Sequence, residues 1–325
     1  MKAIVVEDPG RESRLVLAEV EAPPLRLGAL RLRVAAAGVN RGDLMQRRGL
    51  YPPPPGASEI LGLECAGEVV EVADDVRGWQ LGQRAMALLP GGGYAQEVVV
   101  DAGSAMPVPE VFSMEEAAAF MEVHLTVFLT VFQLASFPDA GRLLVHGGGS
   151  GIGTAATKMV KEAGGTVFVT AGSARKCARC LELGADLAID YHVQDFVDEV
   201  ARATQGQGVD VVLDSIGAAY LKRNLECLCI GGKLVLIGLM GGSKAEIDLG
   251  FVLMRRLQLI ASTLRARPES EKAAIVTGLV ERFGEAIAAG RLRPVIDSVL
   301  PIERAAEAHE RMQSSEHFGK IVLRL

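Results

Sequence analysis

The stretch VHGGGSGIGT, Val145 to Thr154, decides the fold. Five of the seven residues from Gly147 to Gly153 are glycine. The apolar run RLLVH precedes them, and GTAATKMVKEAG, apolar at helical spacing and closing at Gly164, follows. The reading is strand, glycine loop, helix. Amides at a helix N-terminus point outward without intrahelical partners, and the helix dipole favours negative charge there. Glycines let the chain turn sharply and let a pyrophosphate approach the backbone. A dinucleotide is therefore the expected occupant, over a glycine turn that binds nothing, with Gly148, Gly149, Ser150, Gly151, Ile152 and Gly153 as its contacts.

The alternation continues outward from this loop. TVFVTAG, LAIDY, VDVVLDSIG and KLVLIGLMGG read as strands, and SARKCARCLELGA, DFVDEVARATQG and YLKRNLECLCIGG carry helical patterns between them. Strands with nearly continuous apolar runs belong in a parallel sheet covered on both faces, and right-handed crossovers make it doubly wound. The first part of the chain is different. LRLRVAAAGV, GEVVEVAD and AQEVVVD are short runs between turn signals, and YPPPPGAS is a rigid extended loop. The closing segment carries two more short strands around one amphipathic helix. The expected architecture is α/β: a Rossmann domain over 123–264 and a β-rich domain built from 1–122 and 265–325.

The chain has 325 residues, a formal charge of −6 and a mean hydropathy of +0.26. That length calls for two cores. The acidic balance argues against broad nucleic-acid binding. No signal-peptide core or bilayer-length apolar run stands out, so a cytoplasmic protein with no membrane attachment is expected. The five cysteines are too sparse for a disulfide framework. Cys177 and Cys180 form a C-x-x-C, but inside a helical pattern and without a second cluster, which reads as helix packing rather than zinc or redox chemistry.

The spelling of the loop is G-x-x-G-x-G, at Gly148, Gly151 and Gly153. The frame Gly147, Gly151, Gly153 resembles the short-chain dehydrogenase motif, but none of the four tyrosines has a lysine four residues on, as that family requires. NAD enzymes place an acid about 20 residues beyond the loop, for the ribose 2′-hydroxyl. Here the next strand ends in VTAGSARK, with Ser173, Arg175 and Lys176 instead. A hydroxyl and two cations suit a 2′-phosphate. The reading is NADPH over NADH.

A β-rich domain, a late Rossmann unit and a return segment together resemble the medium-chain dehydrogenase/reductase superfamily, in its zinc-free, zeta-crystallin-like quinone oxidoreductase branch. The resemblance runs through AAAGVNRGDLMQRRGLYPPPPGASEILGLECAGEV, MALLPGGGYAQ, VHGGGSGIGT, TAGSARK, GLMGG and HFGKIVLRL, over essentially the whole chain. It implies a GroES-like catalytic domain beside the Rossmann domain. Zinc-dependent relatives carry G-H-E where this chain has Gly62-Leu63-Glu64, so no metal is expected, and no alcohol oxidation either. The resemblance places Asn40 at the nicotinamide end of the site and Tyr51 at the quinone pocket. Thr126 falls near the nicotinamide and phosphates, although the repeated LTVFLTVF leaves Thr130 as a rival. Tyr191 falls near the 2′-phosphate, and Leu239, Met240 and Gly241 under the nicotinamide. His124 and His146 read as packed side chains.

The expected activity is metal-free reduction of a quinone by NADPH. One alternative is NADPH-dependent reduction of an activated double bond, in an enoyl thioester or alkenal, with Tyr51 as candidate proton donor. Another is an NADPH-binding structural or RNA-binding protein. A homodimer is expected, because LQLIASTL, residues 257–264, reads as an apolar edge strand that a two-fold partner would cover.

Overall fold

The computed structural model describes residues 1–10 and 12–325. The chain divides into two compact units, Met1–Leu125 with Leu264–Leu325, and Thr126–Thr263.

In the first unit, β1 (Lys2–Glu7) pairs antiparallel with β2 (Arg14–Glu19). A larger sheet begins with β3 (Ala29–Val39), β4 (Glu64–Val72), β5 (Arg84–Leu88), β6 (Glu97–Asp101) and β7 (Ala105–Pro107). Its organiser is β3. Leu30, Leu32 and Val34 alternate inward, while Arg31 and Arg33 lean out to pair with Glu71 and Glu68 on β4. Past Val34 the residues turn small, Ala35-Ala36-Ala37-Gly38, and this end of the strand is covered. A side chain at Gly38 would overlap Glu64 Oε1 and lie 2.6 Å from the Ala118 carbonyl. The helix α1 (Arg41–Arg47) lies between β3 and β4, and α2 (Met114–Ala118) and α3 (Met121–Val127) follow β7.

The second unit is the doubly wound part. Its strands are β8 (Arg142–His146), β9 (Thr166–Ala171), β10 (Leu187–Asp190), β11 (Val209–Asp214), β12 (Leu228–Leu236) and β13 (Gln258–Ala261). They form one parallel sheet in the order β10-β9-β8-β11-β12-β13. The helices between them are α4 (Gly151–Glu162), α5 (Ala174–Glu182), α6 (Phe196–Ala203), α7 (Leu221–Cys227) and α8 (Leu249–Arg255). Chain progression reverses between β8 and β11, and ligands of such sheets bind outside the carboxyl ends at that reversal. Cys177 and Cys180 are free and buried on the inner face of α5, as the helical pattern implied.

The chain then returns to the first unit. The 20-residue α9 (Glu269–Ala288) precedes β14 (Ile296–Pro301), α10 (Ala305–Ser314) and β15 (Lys320–Arg324). The large sheet closes in the order β14-β15-β3-β4-β5-β7, with β6 also on β3. Among the described residues no helix is long and apolar enough to cross a membrane.

Candidate active site

The glycine loop sits at the carboxyl end of β8. Gly148 N–H is tied to the Thr170 carbonyl at 2.8 Å and Ser150 N–H to the Gly147 carbonyl at 2.8 Å. Ser150 caps α4, its hydroxyl accepting from Gly153 N–H at 3.0 Å. The amides of Gly149, Gly151 and Ile152 donate to no group among the described residues. The glycines are required by contact. A side chain at Gly153 would overlap the Gly147 carbonyl, and one at Gly148 would meet Val169 Cβ at 2.6 Å. Gly147 holds φ +75. A capped helix drawn close to the loop, with unpaired amides at its start, fits the pyrophosphate of a dinucleotide.

Apart from Thr126 on α3, the other sequence-predicted cofactor residues in this unit lie at carboxyl ends of the same sheet. Ser173 caps α5, accepting from Lys176 N–H at 3.3 Å. Arg175 projects into solvent from the first turn of α5 and has no acidic partner among the described residues. Tyr191 follows β10, and its hydroxyl lies 2.5 Å from where a Cβ on Gly172 would stand, against the Gly172-Ser173 corner. Ser173, Arg175, Lys176 and Tyr191 thus share one corner. Leu239 and Met240 are exposed on a turn beyond β12, held by Met240 N–H and Gly241 N–H donating to the Ser215 and Ile216 carbonyls. The sequence reading missed Asp214, which ends β11 and shapes that neighbouring turn. Its carboxylate accepts from Ile216 N–H at 2.6 Å and Gly217 N–H at 3.0 Å.

Thr126 and Thr130 separate cleanly. Thr130 is buried and its hydroxyl donates to the Thr126 carbonyl at 2.6 Å. Thr126 is partly exposed. Just beyond, the helix widens into a π-helical stretch, Phe128–Leu134. His146 bridges Thr170 Oγ1 at 3.0 Å and Asn224 Oδ1 at 2.7 Å, and burial pulls it down to about 4, so it is a neutral packed residue. His124 is buried too, stacked on Phe120 with ring centroids 3.9 Å apart.

The first unit carries a second polar constellation, most of it invisible to sequence spacing. Asn40 is the N-cap of α1 and is 8% exposed, an inward link rather than an open group. Its Nδ2 donates to Glu64 Oε1 at 3.0 Å, and its Oδ1 accepts from Lys320 Nζ. Lys320 also donates to the Val39 carbonyl at 3.0 Å and pairs with Glu64 at 2.6 Å, both side chains buried. The other Glu64 oxygen accepts from Glu122 N–H at 2.9 Å. Asp43, fully buried, takes Asn40 N–H and Gly62 N–H at 2.8 and 2.9 Å and the Tyr94 hydroxyl at 3.3 Å. Burial still pushes it up to about 6.

At the edge of this network stands Tyr51. Arg265 binds the Tyr51 carbonyl at 3.1 Å, the Pro90 carbonyl at 2.7 Å and Gln46 Oε1 at 2.6 Å, and its guanidinium sits 5.0 Å from the Tyr51 ring centroid. The Tyr51 hydroxyl bonds to no group among the described residues. Its acidity is weakened first by burial and then by the Glu122 carboxyl, with Arg265 opposing both. Glu122 is partly exposed, and burial plus the Glu64 charge push it up to about 8. At the position where zinc-dependent relatives carry histidine, Leu63 is buried and offers no ligand atom, and the neighbouring Cys65 thiol is pushed far up by burial.

The comparisons agree with this geometry. The alcohol dehydrogenase GroES-like domain family matches residues 27–110, and the zinc-binding dehydrogenase family matches residues 183–323. A phenolphthiocerol/phthiocerol polyketide synthase protein of Mycobacterium tuberculosis is 29% identical over 323 residues, 98% of this chain, but the chain spans only 14% of that protein's length. The human synaptic vesicle membrane protein VAT-1 homolog is 32% identical over 311 residues, covering 91% of this chain and 79% of that protein. Among solved structures, Escherichia coli quinone oxidoreductase complexed with NADPH superposes with a TM-score of 0.88 at 26% identity, over 100% of this chain and 99% of that one. A 2-haloacrylate reductase superposes at 0.83 and 28% identity, over 100% and 99%. The doubly wound unit, the GroES-like unit and the whole-chain relatives lead to one conclusion: the chain belongs to the medium-chain dehydrogenase/reductase superfamily of oxidoreductases, in its zinc-free quinone oxidoreductase branch.

Proposed function

We propose that the protein is an NADPH-dependent quinone reductase that works without a metal. The observation that carries this reading is the anion cradle of the second unit, and Leu63 in the first unit, which offers no metal-ligand atom, accords with it. The amides of Gly149, Gly151 and Ile152 and the capped start of α4 hold the pyrophosphate, with Ser150 as cap. Ser173, Arg175, Lys176 and Tyr191 form the corner for the 2′-phosphate. Thr126, Leu239, Met240 and Gly241 serve the nicotinamide end. When bound, the cofactor supplies a hydride. The protein's own task is to hold an acceptor that is already electrophilic and to manage one proton. Tyr51, its ring braced by Arg265 and its hydroxyl unengaged, stacks on the acceptor and donates to the oxygen that gains charge. Asn40 fixes the local geometry through Glu64 and Lys320.

The 2-haloacrylate reductase likeness supports a second reading, reduction of an activated double bond. We also propose a homodimer formed along β13. It is the edge of the parallel sheet, with Leu259 exposed, and Leu249, Leu253 and Met254 are exposed on the adjoining α8. The test of function is NADPH oxidation with an ortho-quinone, run beside NADH and beside an alkenal. Fast quinone turnover preferring NADPH is expected. Turnover with the alkenal alone would replace the quinone reading by the second one.

A further inference from the structure

Three polar side chains stand in a row across the carboxyl ends of the parallel sheet in the second unit. His146 ends β8, and Thr170 is its register partner on β9. On the other side Leu213 of β11 pairs with Val145, which sets Asp214 beside His146. Side chains alternate along each strand, so these neighbours leave the sheet on one face. On that face α7 supplies a fourth polar group, Asn224. His146, Thr170, Asp214 and Asn224 are 3%, 1%, 0% and 0% exposed, so water replaces none of their hydrogen bonds.

The bonds run in one direction. Asn224 Oδ1, 2.7 Å from His146 Nε2, only accepts, so Nε2 carries the proton. The buried imidazole is neutral, so Nδ1 accepts, and the Thr170 hydroxyl 3.0 Å away donates to it. Thr170 Oγ1 accepts in turn from Gly147 N–H at 3.4 Å, and the Thr170 carbonyl accepts from Gly148 N–H at 2.8 Å. One end of this relay therefore grips the first two glycines of the loop. The other end reaches the turn beyond β12. The single helical turn Ala218–Tyr220 runs into α7, which carries Asn224. Ala218 N–H donates to the Gly242 carbonyl at 3.0 Å, next to the bonds from Met240 and Gly241 to the Ser215 and Ile216 carbonyls. The Tyr220 ring also packs edge-on against the imidazole, with centroids 4.9 Å apart. Asn224 Nδ2 reaches no acceptor at hydrogen-bond distance among the described residues, yet the side-chain amide eases the burial of the Asp214 carboxylate.

We propose that His146 is a positioning residue for the dinucleotide. Through Thr170 and Asn224 it holds the glycine loop and the 239–242 turn as one unit. The amides for the pyrophosphate and the turn for the nicotinamide are then set before the cofactor arrives. This rests on NADPH lying over the glycine loop. A break at any point leaves a buried donor or acceptor unpaired and frees the rest of the relay. The corner of Ser173, Arg175, Lys176 and Tyr191 takes no part in it.

The experiment uses the full, cofactor-free chain, titrated with NADPH by fluorescence and with 2′-AMP by calorimetry. The nucleotide fragment probes the 2′-phosphate corner alone. Thr170→Val keeps the side-chain shape and removes the hydroxyl, Thr170→Ser restores it, and Asn224→Leu removes the acceptor at the other end. Thr170→Val and Asn224→Leu should each weaken NADPH about tenfold, within the usual range for coupled sites, and leave 2′-AMP within about twofold. Thr170→Ser should bind NADPH nearly as the wild type does. The double variant should lose no more than either single one, because a relay broken once is already broken. Additive losses, about a hundredfold in the double variant, would overturn the relay. So would NADPH affinity unchanged in both single variants, a serine variant as weak as the valine one, or an equal loss for 2′-AMP. Should Asn224→Leu fail to fold, the valine and serine variants at Thr170 decide by themselves. Absence of NADPH binding by the wild type would overturn the placement of the cofactor as well.

Discussion

Tyr51 and Arg175 are single side chains on which separate parts of the proposed function hang. Tyr51 is braced by Arg265, so removing its hydroxyl leaves the ring in place. Tyr51→Phe should lower kcat by about tenfold with little change in KM, the loss of one hydrogen bond made mainly in the transition state. An unchanged kcat would remove the hydroxyl from the mechanism. Arg175 is solvent-exposed on the first turn of α5, where a cation opposes the helix dipole. A bound 2′-phosphate gives it a partner. Arg175→Ala should weaken NADPH binding roughly tenfold, about 1.4 kcal/mol, and leave NADH binding unchanged. Equal effects on both cofactors, read by fluorescence titration, would show that this corner does not meet the phosphate.

At the scale of elements, two junctions carry the site. The first joins β8 to α4. With Gly147 and Gly148 backbone atoms packed against Gly153, the helix start cannot accept a Cβ without moving away from the loop. Gly153→Ala should therefore cost about 1–3 kcal/mol of stability and also weaken dinucleotide binding, measurable as a smaller thermal shift on adding NADPH. The second ties β3, β4 and β15 together through Asn40, Glu64 and Lys320. Both charges of that pair are buried. Lys320→Met strands the Glu64 carboxylate and should cost about 3–5 kcal/mol, whereas adding Glu64→Gln should restore much of it. Chemical denaturation of the single and double variants measures this. A mild single variant would show that Glu64 finds another partner or a proton.

For the molecule as a whole, pH and association are the readable properties. His146 and His309 are held neutral by burial, at about 4 and about 3, below the usual 6.5. The unfolded chain gains those protons first, so their share of stability is present above 6.5 and is lost as pH falls towards 4. Asp43 and Glu122 act in the opposite sense, raised to about 6 and about 8 from 3.8 and 4.5. Their share is present below those unfolded values and is lost as pH rises through the folded ones. Glu122→Gln removes one such dependence. The melting temperature of the variant relative to the wild type should rise as pH passes from below 4.5 to above 8. A constant difference would mean that Glu122 is an ordinary ionised surface carboxylate. The β13 edge predicts a dimer by light scattering, and a charged substitution at Leu259 should shift it to monomer. A wild-type monomer would remove the dimer proposal.

The sequence by itself determined what depends on local order. The glycine loop, its strand and its helix are contiguous, so their backbone chemistry could be read from Val145 to Thr154, and apolar periodicity set the alternation that followed. The β3 alternation of Leu30, Leu32 and Val34 was legible for the same reason. The long α9 was not assigned, although Ile275, Val276, Leu279, Phe283, Ala286 and Ile287 carry its helical spacing. Only the tertiary structure decided the polar network of the first unit. Asn40, Glu64, Glu122, Arg265 and Lys320 are scattered over the chain, and no spacing rule joins them. Asn40 stood out in the sequence, but its partners did not, because burial and a sheet of distant strands, not chain proximity, bring Lys320 to Glu64. The same holds for Thr126 and Thr130. They look alike in LTVFLTVF, and they differ only because the fold buries one hydroxyl against a carbonyl and leaves the other residue partly open.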